Sequence, residues 1–184
     1  SVDFDSIKNL VDFLIKNGVD YIVVQGTTGE ASTLNEHEKI LSRTAYVKAN
    51  NNRVPLIIGI GSNDTRSVTE YIINADLEGF CAILSVAPFY NRPTQNGLYQ
   101  HFSAISSVSS LPIILYNVPL RTGCNLEPST SIKLAKNHKN IIGIKEASLD
   151  LNQMGNLISN RPKDFLIISG DDESAYQSVL KGAD

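Results

Sequence analysis

Six short β-branched runs, separated by amphipathic stretches of similar length, dictate what this chain of 184 residues can fold into. They are YIVVQG (21–26), PLIIGIG (55–61), FCAILSVAP (80–88), PIILYNV (112–118), IIGIKEA (141–147) and FLIISG (165–170). Their centres recur at about 24 to 35 residues, the length of a strand–helix unit. Each run is apolar on both faces, as parallel strands covered by helices must be. Between them, Glu36 to Ala49 and Thr65 to Asp76 carry apolar residues at three- and four-residue spacing, which predicts helices. Another helix, roughly Asp5 to Asn17, precedes the first strand, and one from Ser174 to Lys181 follows the last.

Strict alternation of six strands and seven helices allows an open doubly wound sheet or an incomplete (β/α)8 barrel. A doubly wound nucleotide-binding domain expects a glycine-rich phosphate loop after an early strand. The nearest candidate, Gly59-Ile60-Gly61-Ser62-Asn63-Asp64, lacks the third glycine. A barrel instead expects polar residues at the C-terminal ends of many strands. Thr27, Thr28, Ser62, Asn63, Tyr90, Tyr116, Lys145 and Gly170 all fall there. The expected fold class is therefore α/β, a partial (β/α)8 barrel forming one domain over residues 1–184. No linker, low-complexity segment or charge block divides it.

The net charge of −3 and the scattered basic residues give no footprint for nucleic acid. No apolar run is long enough to span a bilayer. The opening SVDFDSIKNL has no basic segment followed by an apolar core, and Cys81 and Cys124 lie far apart. Both features fit a cytoplasmic protein. His37, His101 and His138 show no metal-ligand spacing, so no metal site is expected.

Lys145 is the residue that most needs a reason. It closes an apolar run, and an ammonium is expensive to remove from water. By strand parity Ile141, Gly143 and Lys145 share a face, and Ile114 and Tyr116 of the preceding run have matching parity. If Lys145 points into the barrel, Gly143 leaves space beneath it. A desolvated lysine is a nucleophilic amine suited to Schiff-base chemistry, and a neighbouring phenol can move protons. Alternatively, the lysine snorkels at the strand's exit. The turn Gly26-Thr27-Thr28-Gly29-Glu30 offers N–H groups and hydroxyls to a small carboxylate, or is an ordinary strand-to-helix turn. Arg121 is a loop cation able to hold a carboxylate, or a solvated arginine. Asp171-Asp172-Glu173 reads as a helix cap before it reads as a catalytic pair.

Five stretches in order, GTTGEASTLNEHE (26–38), APFYNRPTQNGLYQHF (87–102), YNVPLRTG (116–123), GIKEAS (143–148) and SGDD (169–172), resemble the dihydrodipicolinate synthases. These belong to the pyruvate-dependent class I aldolase/lyase superfamily and are also called 4-hydroxy-tetrahydrodipicolinate synthases. The resemblance covers essentially the whole chain and implies a (β/α)8 barrel enzyme. Lys145 is then the amine that forms an imine with pyruvate, and the derived enamine attacks L-aspartate 4-semialdehyde, on the route to diaminopimelate and lysine. It implies a proton relay of Tyr116, Thr27 and Tyr90, with Tyr90 reaching a neighbouring subunit. Thr27 and Thr28 would hold the pyruvate carboxylate, Arg121 the semialdehyde's carboxylate, and Gly170 would join the substrate-binding residues. It implies no metal or organic cofactor beyond the covalent imine, and a homotetramer built as a dimer of dimers.

The departures are informative. Family members run to nearly 300 residues, so the resemblance implies that the first and eighth strands and a C-terminal helical extension are absent from this chain. Members that bind lysine often carry His, Glu and Tyr where Glu36, Lys39, Ser67 and Phe89 stand, and only Asn63 is retained. Weak or absent inhibition by lysine is the expectation. The competing readings are N-acetylneuraminate lyase or a 2-keto-3-deoxy sugar-acid aldolase of the same superfamily, and, more remotely, a non-catalytic barrel scaffold. Thr28 and Arg121 favour the synthase over its sisters, and a scaffold has no need of a buried amine.

Overall fold

The computed structural model describes residues 2–184 in two compact units. The first comprises the chain up to Ile60 together with Asp76–Leu84, and the second comprises Gly61–Ala75 with Ser85–Asp184.

In the first unit, α1 (Phe4–Lys16) starts where the Asp3 side chain accepts from the Ser6 N–H at 2.9 Å. It packs against α2 (Glu36–Asn50). A capping box opens α2: Asn35 accepts from the Glu38 N–H while the Glu38 carboxylate accepts from the Asn35 N–H, which satisfies two donors that a helix start leaves free. Strands β1 (Ile22–Val24) and β2 (Leu56–Ile60) pair in parallel, with Ile22 opposite Leu56 and Val24 opposite Ile58. At the end of β1, Gln25 adopts a left-handed backbone with φ 57°. Its buried amide donates to the Lys39 carbonyl at 2.7 Å, which ties the turn to α2. Two short 3-10 turns follow, Thr27–Gly29 and Ala31–Thr33. The unit also holds the first part of β3 (Ala82–Val86).

The second unit contains the end of β3, then β4 (Ile113–Asn117), β5 (Ile141–Glu146) and β6 (Leu166–Ser169). β5 lies between β4 and β6, parallel to both. In both units the strand order follows the chain without reversal, as in a barrel, whereas a doubly wound sheet reverses at its switch point. Helices α3 (Thr65–Asn74), α4 (Gln95–Val108), α6 (Pro128–Asn137), α7 (Leu151–Asn160) and α8 (Asp172–Lys181) alternate with the strands, and a single turn, α5 (Pro119–Thr122), follows β4. All five residues of β4 are buried, as the apolar run on both faces predicts.

The elements expected from sequence all form, with boundaries moved by a residue or two. The helix expected to Asp76 stops at Asn74, and the last helix begins at Asp172 rather than Ser174. Asp171 caps that helix by accepting from the Ser174 N–H at 3.0 Å, so its carboxylate serves the backbone. Gly143 has a different job from the one expected. A Cβ there would stand 2.9 Å from both the Cβ and the carbonyl oxygen of Leu166. Glycine at 143 lets β6 approach β5.

His101, on α4, is 3% exposed and accepts or donates through Nδ1 with Thr65 Oγ1 at 2.8 Å, joining α4 to the start of α3. Its Nε2 is buried without a partner, and its ring meets Phe102 edge-on. Burial pushes the imidazole down to about 4, against a smaller upward pull from Asp64. The folded state therefore binds this proton less readily than the unfolded chain, and stability is lost as pH falls from about 6.5 toward 4. The loss approaches about 3 kcal/mol at the acid end. Denaturant titrations at intervals between pH 7 and 4.5 should show a shallower fall for His101→Gln than for the unaltered protein.

Candidate active site

The pairing of β4 with β5 brings the two central candidates together. Tyr116 lies directly opposite Lys145 in the parallel ladder. Tyr116 is buried at 7% exposure, and Lys145 is half-buried. The lysine Nζ stands over the tyrosine ring, 4.9 Å from its centroid. That is a cation–π approach to the ring face.

Burial lowers the Lys145 pKa from its ordinary value, and the charge of Asp172 partly offsets this. The ammonium loses hydration in the site, so the neutral and nucleophilic amine is favoured. Asp172 occupies the first position of α8 while Asp171 serves as its cap.

The space that lets Lys145 lie as it does comes from β6. A Cβ at Gly170 would stand 3.0 Å from Lys145 Cε, 3.1 Å from its Cγ and 2.8 Å from Ala147 Cβ. The Gly170 N–H donates to the Glu146 carbonyl at 2.7 Å, which draws the end of β6 against the lysine's strand. Gly170, expected as a substrate-binding residue, is the floor on which the lysine arm lies.

The other candidates are more open. Tyr90 is 87% exposed, has a left-handed backbone with φ 73° and donates its N–H to the Thr122 carbonyl at 3.1 Å. Arg121 is exposed on α5. In the first unit, Thr27 and Thr28 are exposed in the 3-10 turn that follows β1. That turn closes through the N–H groups of Gly29 and Glu30, bonded to the Gly26 and Thr27 carbonyls at 3.0 and 3.1 Å. The structure thus joins Lys145, Tyr116 and Gly170 in one constellation and puts Thr27 and Thr28 at a strand end of the other unit.

Sequence reasoning missed a second group beside this one. Asn117 and Glu146, the residues after Tyr116 and Lys145, are 0% and 2% exposed and bonded to each other. Their signal is present in the dipeptides Tyr116-Asn117 and Lys145-Glu146, where polar side chains follow runs with no solvent face. Among the described residues no cluster of three or more His, Cys, Asp or Glu could hold a metal ion, and no helix is long and apolar enough to cross a membrane.

The family profile described as Dihydrodipicolinate synthetase family matches residues 1–184. This chain belongs to that family. It is 50% identical over 182 residues to the 4-hydroxy-tetrahydrodipicolinate synthase of Flavobacterium psychrophilum, covering 99% of this chain and 62% of that one. The Bacillus subtilis enzyme of the same name is 48% identical over 172 residues, covering 94% of this chain and 59% of the other. Among solved structures, a chloride-inhibited dihydrodipicolinate synthase from Acinetobacter baumannii, complexed with pyruvate, superposes with a TM-score of 0.95 at 44% identity. It covers all of this chain, which in turn covers 63% of that structure. The six parallel strands are thus strands of the barrel fold that this family shares. The chain spans about 60% of the length of these relatives.

Replacing Gly170 by alanine should push the lysine arm off its floor. Trapping of a carbonyl compound at Lys145 by borohydride should slow about tenfold or more, since small displacements of a reacting group cost that much. Peptide mass mapping of the adduct against time gives the rate, and circular dichroism checks that the fold is kept.

Proposed function

We propose that this chain carries the pyruvate-imine chemistry of a 4-hydroxy-tetrahydrodipicolinate synthase, within a single barrel domain and with Lys145 as nucleophile. The observation that supports this most is a desolvated lysine amine lying over a buried tyrosine at paired strand ends. An ordinary lysine is almost wholly protonated at neutral pH, with a reference pKa of about 10.4. Burial raises the fraction of free amine that can attack a ketone.

In the proposed sequence, Lys145 Nζ attacks the keto carbon of pyruvate, and loss of water leaves a protonated imine. A methyl proton is then removed and its electron pair forms an enamine. The enamine carbon bonds to the aldehyde carbon of L-aspartate 4-semialdehyde, whose oxygen takes up a proton. The amino group of the adduct closes the ring on the imine carbon and releases Lys145, giving 4-hydroxy-tetrahydrodipicolinate. Tyr116 is assigned to proton transfer because it is the hydroxyl-bearing neighbour of the amine. Thr27 and Tyr90 complete the relay by their match to the family's motifs. Thr27 and Thr28 are assigned to the pyruvate carboxylate, Arg121 to the carboxylate of the semialdehyde, and Gly170 to the substrate site. The exposure of Tyr90 fits a residue that serves a neighbouring subunit, in a homotetramer of paired dimers. No cofactor beyond the covalent imine is called for, and the setting is cytoplasmic.

Borohydride reduction in the presence of pyruvate should add the reduced pyruvyl group to Lys145, and a full-length protein without that adduct would refute the assignment. Turnover with aspartate semialdehyde but not with N-acetylneuraminate separates the synthase from its sister lyases. The same assay has a pH signature. Asp172 holds the Lys145 pKa up against the effect of burial. Asp172→Asn should therefore move the midpoint of imine formation to lower pH, while the Asp171 cap keeps α8 in place.

A further inference from the structure

Immediately behind the proposed reacting pair lies a closed polar network with a carboxylate at its centre. Glu146 Oε1 accepts from Asn117 Nδ2 at 3.1 Å and from the Ser148 N–H at 2.7 Å. Its Oε2 accepts from Asn117 Nδ2 at 3.0 Å and from Gln153 Nε2 at 3.0 Å. Asn117 Nδ2 also donates to Asn125 Oδ1 at 2.8 Å, and Asn117 Oδ1 accepts from the Leu126 N–H at 2.9 Å. The side-chain amides of Asn125 and Gln153 exchange two bonds, at 2.8 and 3.0 Å. The network thus ties β4, the loop after α5, β5 and α7 into one unit.

Burying a carboxylate among neutral donors is costly, and a well-packed apolar pair would be cheaper for stability alone. What the network does offer is geometry. Neighbouring residues of a strand point to opposite faces, so fixing Asn117 and Glu146 on one face fixes the Cα–Cβ directions of Tyr116 and Lys145 on the other. The need is real here. The β4–β5 register shifts between Ile113 and Ile114, so pairing at the start of β4 does not dictate pairing at its end. The Asn117–Glu146 contact joins register partners at that end.

We propose that Glu146, Asn117, Asn125 and Gln153 are positioning residues for the imine chemistry, holding Lys145 and Tyr116 in their reactive alignment through the strand ends. This rests on the assignment of Lys145 as the imine-forming amine. The network is also directional. Every contact to Glu146 comes from a donor, and this fixes the orientation of all three amides. Its polarity can be reversed as a whole. With glutamine at 146 and aspartate at 117, rotation of the Asn125 and Gln153 amides restores the side-chain bonds in the opposite sense at unchanged net charge, save one of the two between 117 and 146, because the glutamine oxygen still accepts from the Ser148 N–H. Either single change leaves donor against donor or acceptor against acceptor.

The test uses the full-length protein with Glu146→Gln, Asn117→Asp and the double variant, following kcat, KM for pyruvate, melting temperature and the rate of borohydride trapping at Lys145. Failure of the unaltered protein to form the adduct would overturn the Lys145 assignment itself, and the positioning role with it. Given the adduct, each single variant should lose about 10- to 100-fold in kcat, a range typical of residues that orient a reacting group. KM for pyruvate should change much less, and the double variant should recover most of the lost kcat. Folded single variants with unaltered kcat would refute the inference. So would a double variant that regains its melting temperature without regaining turnover. Should the single variants fail to fold, Gln153→Ala removes one of the donors to Glu146, from α7, together with the two bonds to Asn125. It should lower kcat several-fold with little change in melting temperature, and an unchanged kcat there refutes the positioning role.

Discussion

The register of β4 on β5 is the constraint on which the proposed chemistry depends. It sets Tyr116 opposite Lys145 and, one residue on, Asn117 opposite Glu146. Because a strand alternates its faces, a single pairing builds two sites of opposite character. One face presents an amine and a phenol. The other buries a carboxylate in a net of amides. A slip of one residue would exchange the two sets, burying the lysine among the helices and turning the carboxylate toward the site. Register is therefore as much a part of the candidate site as any side chain in it.

Desolvation acts on two basic groups here with different consequences. His101 and Lys145 are both pushed toward their neutral forms, and in each case burial is the leading cause. For His101 the shift places its titration in the acid range, where it serves only as a liability of the fold, with Nε2 unpaired against Phe102. For Lys145 the shift favours the neutral amine, the form that the proposed imine chemistry requires. The difference lies in access. His101 is shut into the packing of α3 and α4, whereas Lys145 is only half-buried at a strand end.

Much of the fold was legible in the sequence because its strands are buried on both faces and its helices are amphipathic, so both periods stand out. That Lys145 and Tyr116 share a face was legible from parity, which depends only on the regular geometry of a strand. The roles of the glycines were not legible. Gly143 and Gly170 lie near the lysine in sequence or at a strand end, yet what a Cβ would strike at each is decided by the neighbouring strand. The amide network was missed for a related reason. Asn117, Asn125, Glu146 and Gln153 come from four segments, and each alone reads as a polar residue at an element's edge. Their common burial is a product of packing, which no local pattern encodes.

The acidic residues that precede α3, α7 and α8 are engaged by the helices they start. Asp64 is occupied by the N–H groups of Arg66 and Ser67 and by the Ser67 hydroxyl. Asp150 is occupied by the N–H groups of Asn152 and Gln153, and Asp171 by that of Ser174. Each caps the helix that follows a strand, where the helix dipole favours negative charge. Glu146, adjacent to the lysine in sequence, is directed to the other face by strand parity and held there by four contacts. Asp172 acts on Lys145, and it does so without displacing burial as the dominant influence. A carboxylate in direct contact would stabilise the ammonium form. Capping the helices with acids therefore secures the α3, α7 and α8 starts, while strand parity, not capping, directs Glu146 away from the face of Lys145.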